Sequence, residues 1–255
     1  MHAPPTQAPR WTLVPPALAL AAVLALTLAW SDVLPGAWRL RGYVEPHALG
    51  ARRDQARRAA GRLMAFREEN REAPGGATAF LGSSTMERFP LALAFPGKPC
   101  LNRGIGNESA PQLVRRLEAC LPAEPLRGAL VFSGRVELLS TELTPEEIRR
   151  RVAGVLDRLG ELQPEAPVAL IGLLAPREAS QAEIERLDET NRQLRALALE
   201  RGFGYVDTAR SPMRDATGSL PEALSADRLH LNDEGYRVLA RWILEDGGEA
   251  AAGLR

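Results

Sequence analysis

Few side chains in this sequence are suited to acid–base or nucleophilic chemistry. Histidine occurs three times, at His2, His47 and His230. A reaction that needs an imidazole base therefore has a short candidate list. His230 lies in the stretch Ser225-Ala226-Asp227-Arg228-Leu229-His230-Leu231-Asn232-Asp233-Glu234-Gly235-Tyr236, with Asp227 three residues ahead of it. In a loop, that spacing lets the carboxylate reach one ring nitrogen and leaves the other to face a nucleophile, the base–orienter arrangement of acyl transfer. Taken alone, the pattern equally describes a surface histidine beside a helix cap. The nucleophile candidate is Ser84, in Phe80-Leu81-Gly82-Ser83-Ser84-Thr85. It follows an apolar run and a glycine at a point where a helix begins, and helix N-termini favour a serine oxygen or an oxyanion. Taken alone, this fragment also reads as a plain Ser/Thr cap.

Such residues act only if the fold brings them together. After residue 76 the chain alternates short apolar runs with amphipathic segments. The runs predict strands at 77–81, 100–105, 128–132 and 168–174, with a weaker fifth at 204–206. Helical spacing predicts helices near 109–120, 144–162, 180–201 and 233–245. Thr144, Pro145 and Glu147 give the second of these helices an N-cap, a first-turn proline and a capping-box acid. Alternating strands and helices predict an open parallel sheet covered on both faces. Ligands of such sheets bind beyond the carboxyl ends of the strands, where this chain places Gly82-Ser83-Ser84, Gly104-Ile105-Gly106 and Ser133-Gly134.

Four separated stretches together are far more specific than any one of them. They are Phe80–Thr85, Asn102-Arg103-Gly104-Ile105-Gly106-Asn107, Phe132-Ser133-Gly134-Arg135-Val136-Glu137-Leu138 and Asp227–Tyr236. In this order, each at a strand end or a helix start, they make residues 77–245 resemble the SGNH/GDSL serine hydrolases, in the branch whose first block reads Gly-Ser-Ser. The resemblance implies an α/β, flavodoxin-like three-layer sandwich with a parallel sheet of about five strands and helices on both faces. It implies a carboxylic ester hydrolase with Ser84 as nucleophile, His230 as base and Asp227 as its orienter. The N–H groups of Ser84 and of Gly106 or Asn107 would hold the oxyanion. No metal or organic cofactor is implied, and the implied substrates are acetylated glycans, lipid esters or small esters. One departure stands out, because Val136 occupies the position where the family carries an oxyanion-binding asparagine. Loss of one such donor costs about 10²–10³ in rate. Arg135 and the Asn107 amide are the candidate replacements. The competing reading is a catalytically weakened relative with a binding or assembly role in the cell envelope. A nucleotide-binding reading rests on Gly104-Ile105-Gly106 alone and lacks the third glycine of that fingerprint.

The bulk of the sequence bounds the remaining possibilities. Thirty-two basic residues balance 32 acidic ones, so no global positive field recruits nucleic acid. Residues 11–31 carry no charge, and Trp11 and Trp30 sit near the two ends. The run is long enough to cross a hydrocarbon core of about 30 Å, although Pro15-Pro16 shortens its helical part. It reads as a retained anchor or as a cleaved signal with residues 18–29 as its core. The flanking charges do not orient it, and the expectation that the folded domain lies outside the cytoplasm, exported or membrane-held, rests mainly on the family resemblance. The expected organisation is thus an N-terminal apolar helix within 1–31, a linker over 32–46 and the hydrolase domain over 47–248. That domain opens with a helix at 47–72 whose Ala56, Ala59, Ala60, Leu63 and Phe66 share a face. Cys100 and Cys120 are two thiols or one disulfide.

Overall fold

A computed structural model of the chain describes residues 46–73 and 75–255. The expected anchor over 1–31 and residues 32–45 of the expected linker lie outside the described residues. Among the described residues no helix is long and apolar enough to cross a membrane.

The described chain opens with helix α1 (Pro46–Glu72) and then alternates strands and helices. Strand β1 (Thr78–Gly82) leads into two short helices, α2 (Ser84–Glu87) and α3 (Leu91–Ala94). Then come β2 (Cys100–Gly104), α4 (Ala110–Cys120), β3 (Gly128–Phe132), the short α5 (Arg135–Leu138) and α6 (Pro145–Leu162). The chain continues with β4 (Val168–Ile171), α7 (Gln181–Glu200), β5 (Gly204–Val206) and α8 (Asp233–Asp246), and ends in a 3-10 turn at Gly248–Leu254.

All strand pairs are parallel, and the order across the sheet is β2-β1-β3-β4-β5. This is the doubly wound order of flavodoxin-like sheets. Every residue of β1 and β3 is buried, as expected of central strands covered on both sides. Helices α4, α6 and α7 pack side by side along one face. Helix α8 and the terminal 3-10 turn cover the other. Helix α6 begins as its sequence dictates, with the Thr144 hydroxyl accepting the Glu147 N–H and the Glu147 side chain accepting the Thr144 N–H. Ser180 and Glu183 repeat that box at the start of α7.

Two boundaries differ from the sequence expectation for identifiable reasons. Strand β4 stops at Ile171 although Leu173, Leu174 and Ala175 are as buried as the strand itself. Asn191 of α7 takes over the ladder there, accepting the Leu173 N–H at 2.8 Å and donating to the Leu173 carbonyl at 2.9 Å. The second difference lies in α1. Leu63 and Phe66 pack inward and Ala59 is half-buried, but Ala56 and Ala60 are exposed. The contact is carried by Phe66, which is fully buried, with the guanidiniums of Arg62, Arg103 and Arg116 at 4.7, 4.8 and 5.7 Å from its ring centre. Arg103 is itself fully buried in edge strand β2, paired to Glu69 and donating to the Cys120 carbonyl. Scattered arginines in the sequence thus become a cation–π and ion-pair clamp on one ring. Both cysteines are free thiols. The Cys120 thiol donates to the Leu117 carbonyl at 3.3 Å.

Candidate active site

Gly82 ends β1 with φ +147°, and a Cβ there would lie 2.2 Å from the Phe132 carbonyl oxygen of the neighbouring strand. Only glycine lets the two central strands exit this closely. Ser83 follows as the cap of α2, so the cap role belongs to Ser83 and not to Ser84. Ser84 is the first helical residue and is half-buried. Its N–H belongs to the first turn, which has no acceptor within a helix. Two contacts from elsewhere in the chain fix this short helix. Tyr236 of α8 donates its buried hydroxyl to the Thr85 carbonyl at 3.0 Å. Asn102 of β2 donates to the Met86 carbonyl at 2.7 Å, and its oxygen accepts the Gly104 N–H at 3.0 Å.

The His230 loop is held just as firmly. Asn232 caps α8 by accepting the Gly235 N–H, and its amide donates to the Ala223 carbonyl, each at 2.9 Å. Asp227 bends the loop by accepting the N–H groups of Leu229 at 2.7 Å and His230 at 2.9 Å. The same carboxylate lies 2.7 Å from His230 Nδ1. His230 Nε2 lies 3.1 Å from Ser84 Oγ. A carboxylate only accepts hydrogen bonds, so Nδ1 carries the proton and Nε2 is the ring's acceptor toward the serine hydroxyl. Burial works to raise the Asp227 pKa. The Leu229 N–H, the His230 ring and the His230 N–H outweigh it and hold the carboxyl down at about 2. Asp227 is therefore ionised throughout the neutral range. The three expected residues thus stand in one hydrogen-bonded line across 146 residues of sequence.

The expected oxyanion residues are arranged less simply. Gly106 stands beside Ser84, since a Cβ on it would lie 3.7 Å from Ser84 Cβ. Its N–H, however, donates to the Glu87 carboxylate at 3.0 Å. Asn107 is exposed and left-handed, with φ +57°, a conformation that asparagine tolerates better than most residues. Val136 occupies the first turn of α5, half-buried, and has no polar group to offer. Arg135 does not replace the missing asparagine in the way the sequence suggested. Its Nη1 donates instead to the Leu174 carbonyl at the exit of β4. Glu137 is buried, and it accepts the Ala110 N–H at 2.7 Å, tying α5 to the start of α4.

Sequence reasoning passed over Glu87, Arg62 and Glu137. Arg62 of α1 donates to the Gly104 carbonyl at 3.1 Å and to Asn102 at 3.2 Å, and lies 3.7 Å from the Glu87 carboxylate. Glu87 sits three residues after Ser84 on the same short helix, a spacing that the sequence alone offered as a clue. Among the described residues no group of acidic, histidine or cysteine side chains is arranged to hold a metal ion.

Residues 40–238 match the GDSL-like lipase/acylhydrolase family. The chain belongs to this family. Membership makes it a carboxylic ester hydrolase. Solved structures share the hydrolase fold at low sequence identity. A chain from Streptococcus pneumonia superposes with a TM-score of 0.70 at 19% identity, covering 78% of this hydrolase and 96% of that chain. A GDSL-like lipase from Bacteroides thetaiotaomicron gives 0.59 at 17%, covering 72% and 95%. A catalytic mutant of an acetylxylan esterase from Geobacillus stearothermophilus gives 0.56 at 18%, covering 69% and 96%. No curated protein matches the chain.

Proposed function

We propose that this hydrolase is a serine esterase in which Ser84 is the nucleophile, His230 the general base and acid, and Asp227 the orienter. The observation that carries the reading is the unbroken line from Ser84 Oγ through both nitrogens of His230 to the Asp227 carboxylate. As Oγ attacks the ester carbonyl, His230 Nε2 takes its proton. The imidazolium that forms is stabilised by Asp227, and its proton then passes to the leaving alcohol. Water attacks the acyl-enzyme by the same route in reverse. The Ser84 N–H, in the unpaired first turn of α2, and the Asn107 N–H are the proposed oxyanion donors. Gly106 joins them if its N–H turns from Glu87 to the substrate. The proposed substrates are acetylated glycans, with lipid and small esters beside them. Similarity of fold to an acetylxylan esterase supports the first. The proposed location is outside the cytoplasm, with the chain exported or held through its uncharged 11–31 segment; accessibility of the domain to protease in intact cells tests this. The mechanism is tested with p-nitrophenyl acetate and a fluorophosphonate probe. Wild-type protein hydrolyses the ester and takes the label, and Ser84→Ala loses the label and at least about 10⁴-fold in kcat. Absence of both activities in the wild type refutes the reading.

A second reading, an envelope binding or assembly protein with residual catalysis, draws on two specific observations. Val136 has no donor, and the Gly106 N–H is engaged by Glu87. The retained line of Ser84, His230 and Asp227 favours the esterase.

A further inference from the structure

We propose that a cleft built around Arg135, on the β4 side of the Ser84–His230 pair, is a subsite for a carboxylate carried by the ester substrate. The inference rests on the esterase reading and adds a substrate class to it. The cleft encloses about 330 Å³, part of it open to solvent, and is lined by Arg135, Leu138, Leu139, Pro176, Glu183, Arg186 and Leu187.

Arg135 is the unusual member. It is only 7% exposed, and no carboxylate forms an ion pair with it among the described residues. Its Nη1 donates to the Leu174 carbonyl, but its Nη2 is buried and meets no acceptor of the protein. Buried charges are normally paired and fully hydrogen-bonded. Burial, and secondarily the charge of Arg228, lower its pKa to about 10, so the guanidinium remains a cation at neutral pH. Glu183, also in the lining, is the one carboxylate among the described residues whose charge favours the Arg135 cation, and it makes no ion pair with it. Glu183 is engaged by Arg228 at 2.8 Å and by the start of α7. Arg186 adds a second positive charge, its guanidinium holding the Ser140 and Leu143 carbonyls. Leu138, Leu139 and Leu187 supply apolar wall. A carboxylate on a short apolar stem matches this combination, as the acceptor that Nη2 lacks while Nη1 stays on the Leu174 carbonyl.

The cleft lies at the same end of the sheet as Ser84. Strand β3, whose exit supplies Arg135, lies between β1, whose exit supplies Ser84, and β4, whose exit leads to Pro176. The Arg177 N–H donates to the Arg228 carbonyl at 2.8 Å, and Arg228 stands two residues before His230. An ester held in reach of Ser84 can thus extend an acidic tail toward Arg135.

The test compares monoethyl adipate with ethyl hexanoate, which differ mainly in a terminal carboxylate. Binding is read by calorimetry on the full chain carrying Ser84→Ala. Turnover is read by pH-stat on the wild type. The expected result is a preference of about tenfold or more for monoethyl adipate in both. The preference disappears when Arg135→Met is added and survives in part with Arg135→Lys. Leu139→Trp, at an exposed rim position, fills the cleft without touching the buried charge and also removes the preference. It decides the matter if Arg135→Met does not fold. Equal binding of the two esters, or a preference unaffected by both Arg135→Met and Leu139→Trp, overturns the subsite. The esterase reading fails separately, by absence of p-nitrophenyl acetate hydrolysis and fluorophosphonate labelling, and the binding arm is unaffected by that outcome.

Discussion

At the scale of single residues, the site joins a hydrogen-bonded line of Ser84, His230 and Asp227, the proposed nucleophile, base and orienter, to a thin set of proposed oxyanion donors. The deficit is concentrated at Val136, because the backbone around it is in place. Gly134 opens α5 with φ +103°, and Glu137 fastens that helix to α4. Val136→Asn therefore needs no new backbone, and it should raise kcat on p-nitrophenyl acetate by about 10²–10³, the usual worth of one oxyanion donor. An unchanged kcat would mean that the side chain at 136 does not face the oxyanion. Asp227 gives a pH prediction. Its folded pKa of about 2 lies below the reference near 3.9. Its contribution to stability is thus fully present above about pH 4 and lost as pH falls through 2. The half-exposed side chain makes that contribution small. Carbon-detected NMR should give a midpoint near 2 for this carboxyl, and a midpoint near 4 would deny the Leu229 and His230 bonds.

At the scale of elements, the helices bear on the site through their ends. Helix α7 begins at the Ser180–Glu183 box, and Glu183 also holds Arg228 of the His230 loop. The Arg228 bond is the main cause that pulls the Glu183 pKa down to about 2, followed by the Ser180 N–H. Ser180→Ala should cost about 1 kcal/mol, measured as a shift of the urea midpoint. It should also loosen the 227–230 loop, seen as faster amide exchange at Leu229 and His230. A midpoint shift with no change in exchange would separate the cap from the loop. Helix α1 acts at the other side of the site, where Arg62 holds the Gly104 carbonyl and Asn102. The sequence marked α1 as an alanine-faced amphipathic helix. Its contact centres on Phe66 among three arginines, with Leu63 and Ala59 beside it, because ion pairing and cation–π stacking let guanidiniums pack where a hydrophobic pattern expects aliphatic side chains.

At the scale of the whole molecule, the strand that leads to Ser84 is also the middle of the core. Phe80 of β1 is fully buried, with Phe89 and Phe95 at centroid distances of 5.4 and 5.5 Å, and Phe89 stacks in turn near Tyr236 at 5.1 Å. Phe80→Ala should cost about 3–5 kcal/mol and move Tyr236 off the Thr85 carbonyl. Esterase activity and the thermal midpoint should then decline together; a full-length loss of stability with native kcat at low temperature would uncouple core from site. The sequence by itself determined the strand and helix order and the cap box at Thr144, and it marked Ser84, Asp227 and His230 as candidates. Those features are local: periodicity, capping chemistry and short spacings are written in consecutive residues. The tertiary structure decided what depends on residues far apart in the chain. It set the 3.1 Å approach of His230 to Ser84 and the replacement of the end of β4 by the Asn191 amide. It engaged the Gly106 N–H with Glu87 and the Arg135 guanidinium with the Leu174 carbonyl. A backbone N–H or a guanidinium has no fixed partner until packing brings one within hydrogen-bond range, so the sequence named these groups without assigning what each would hold.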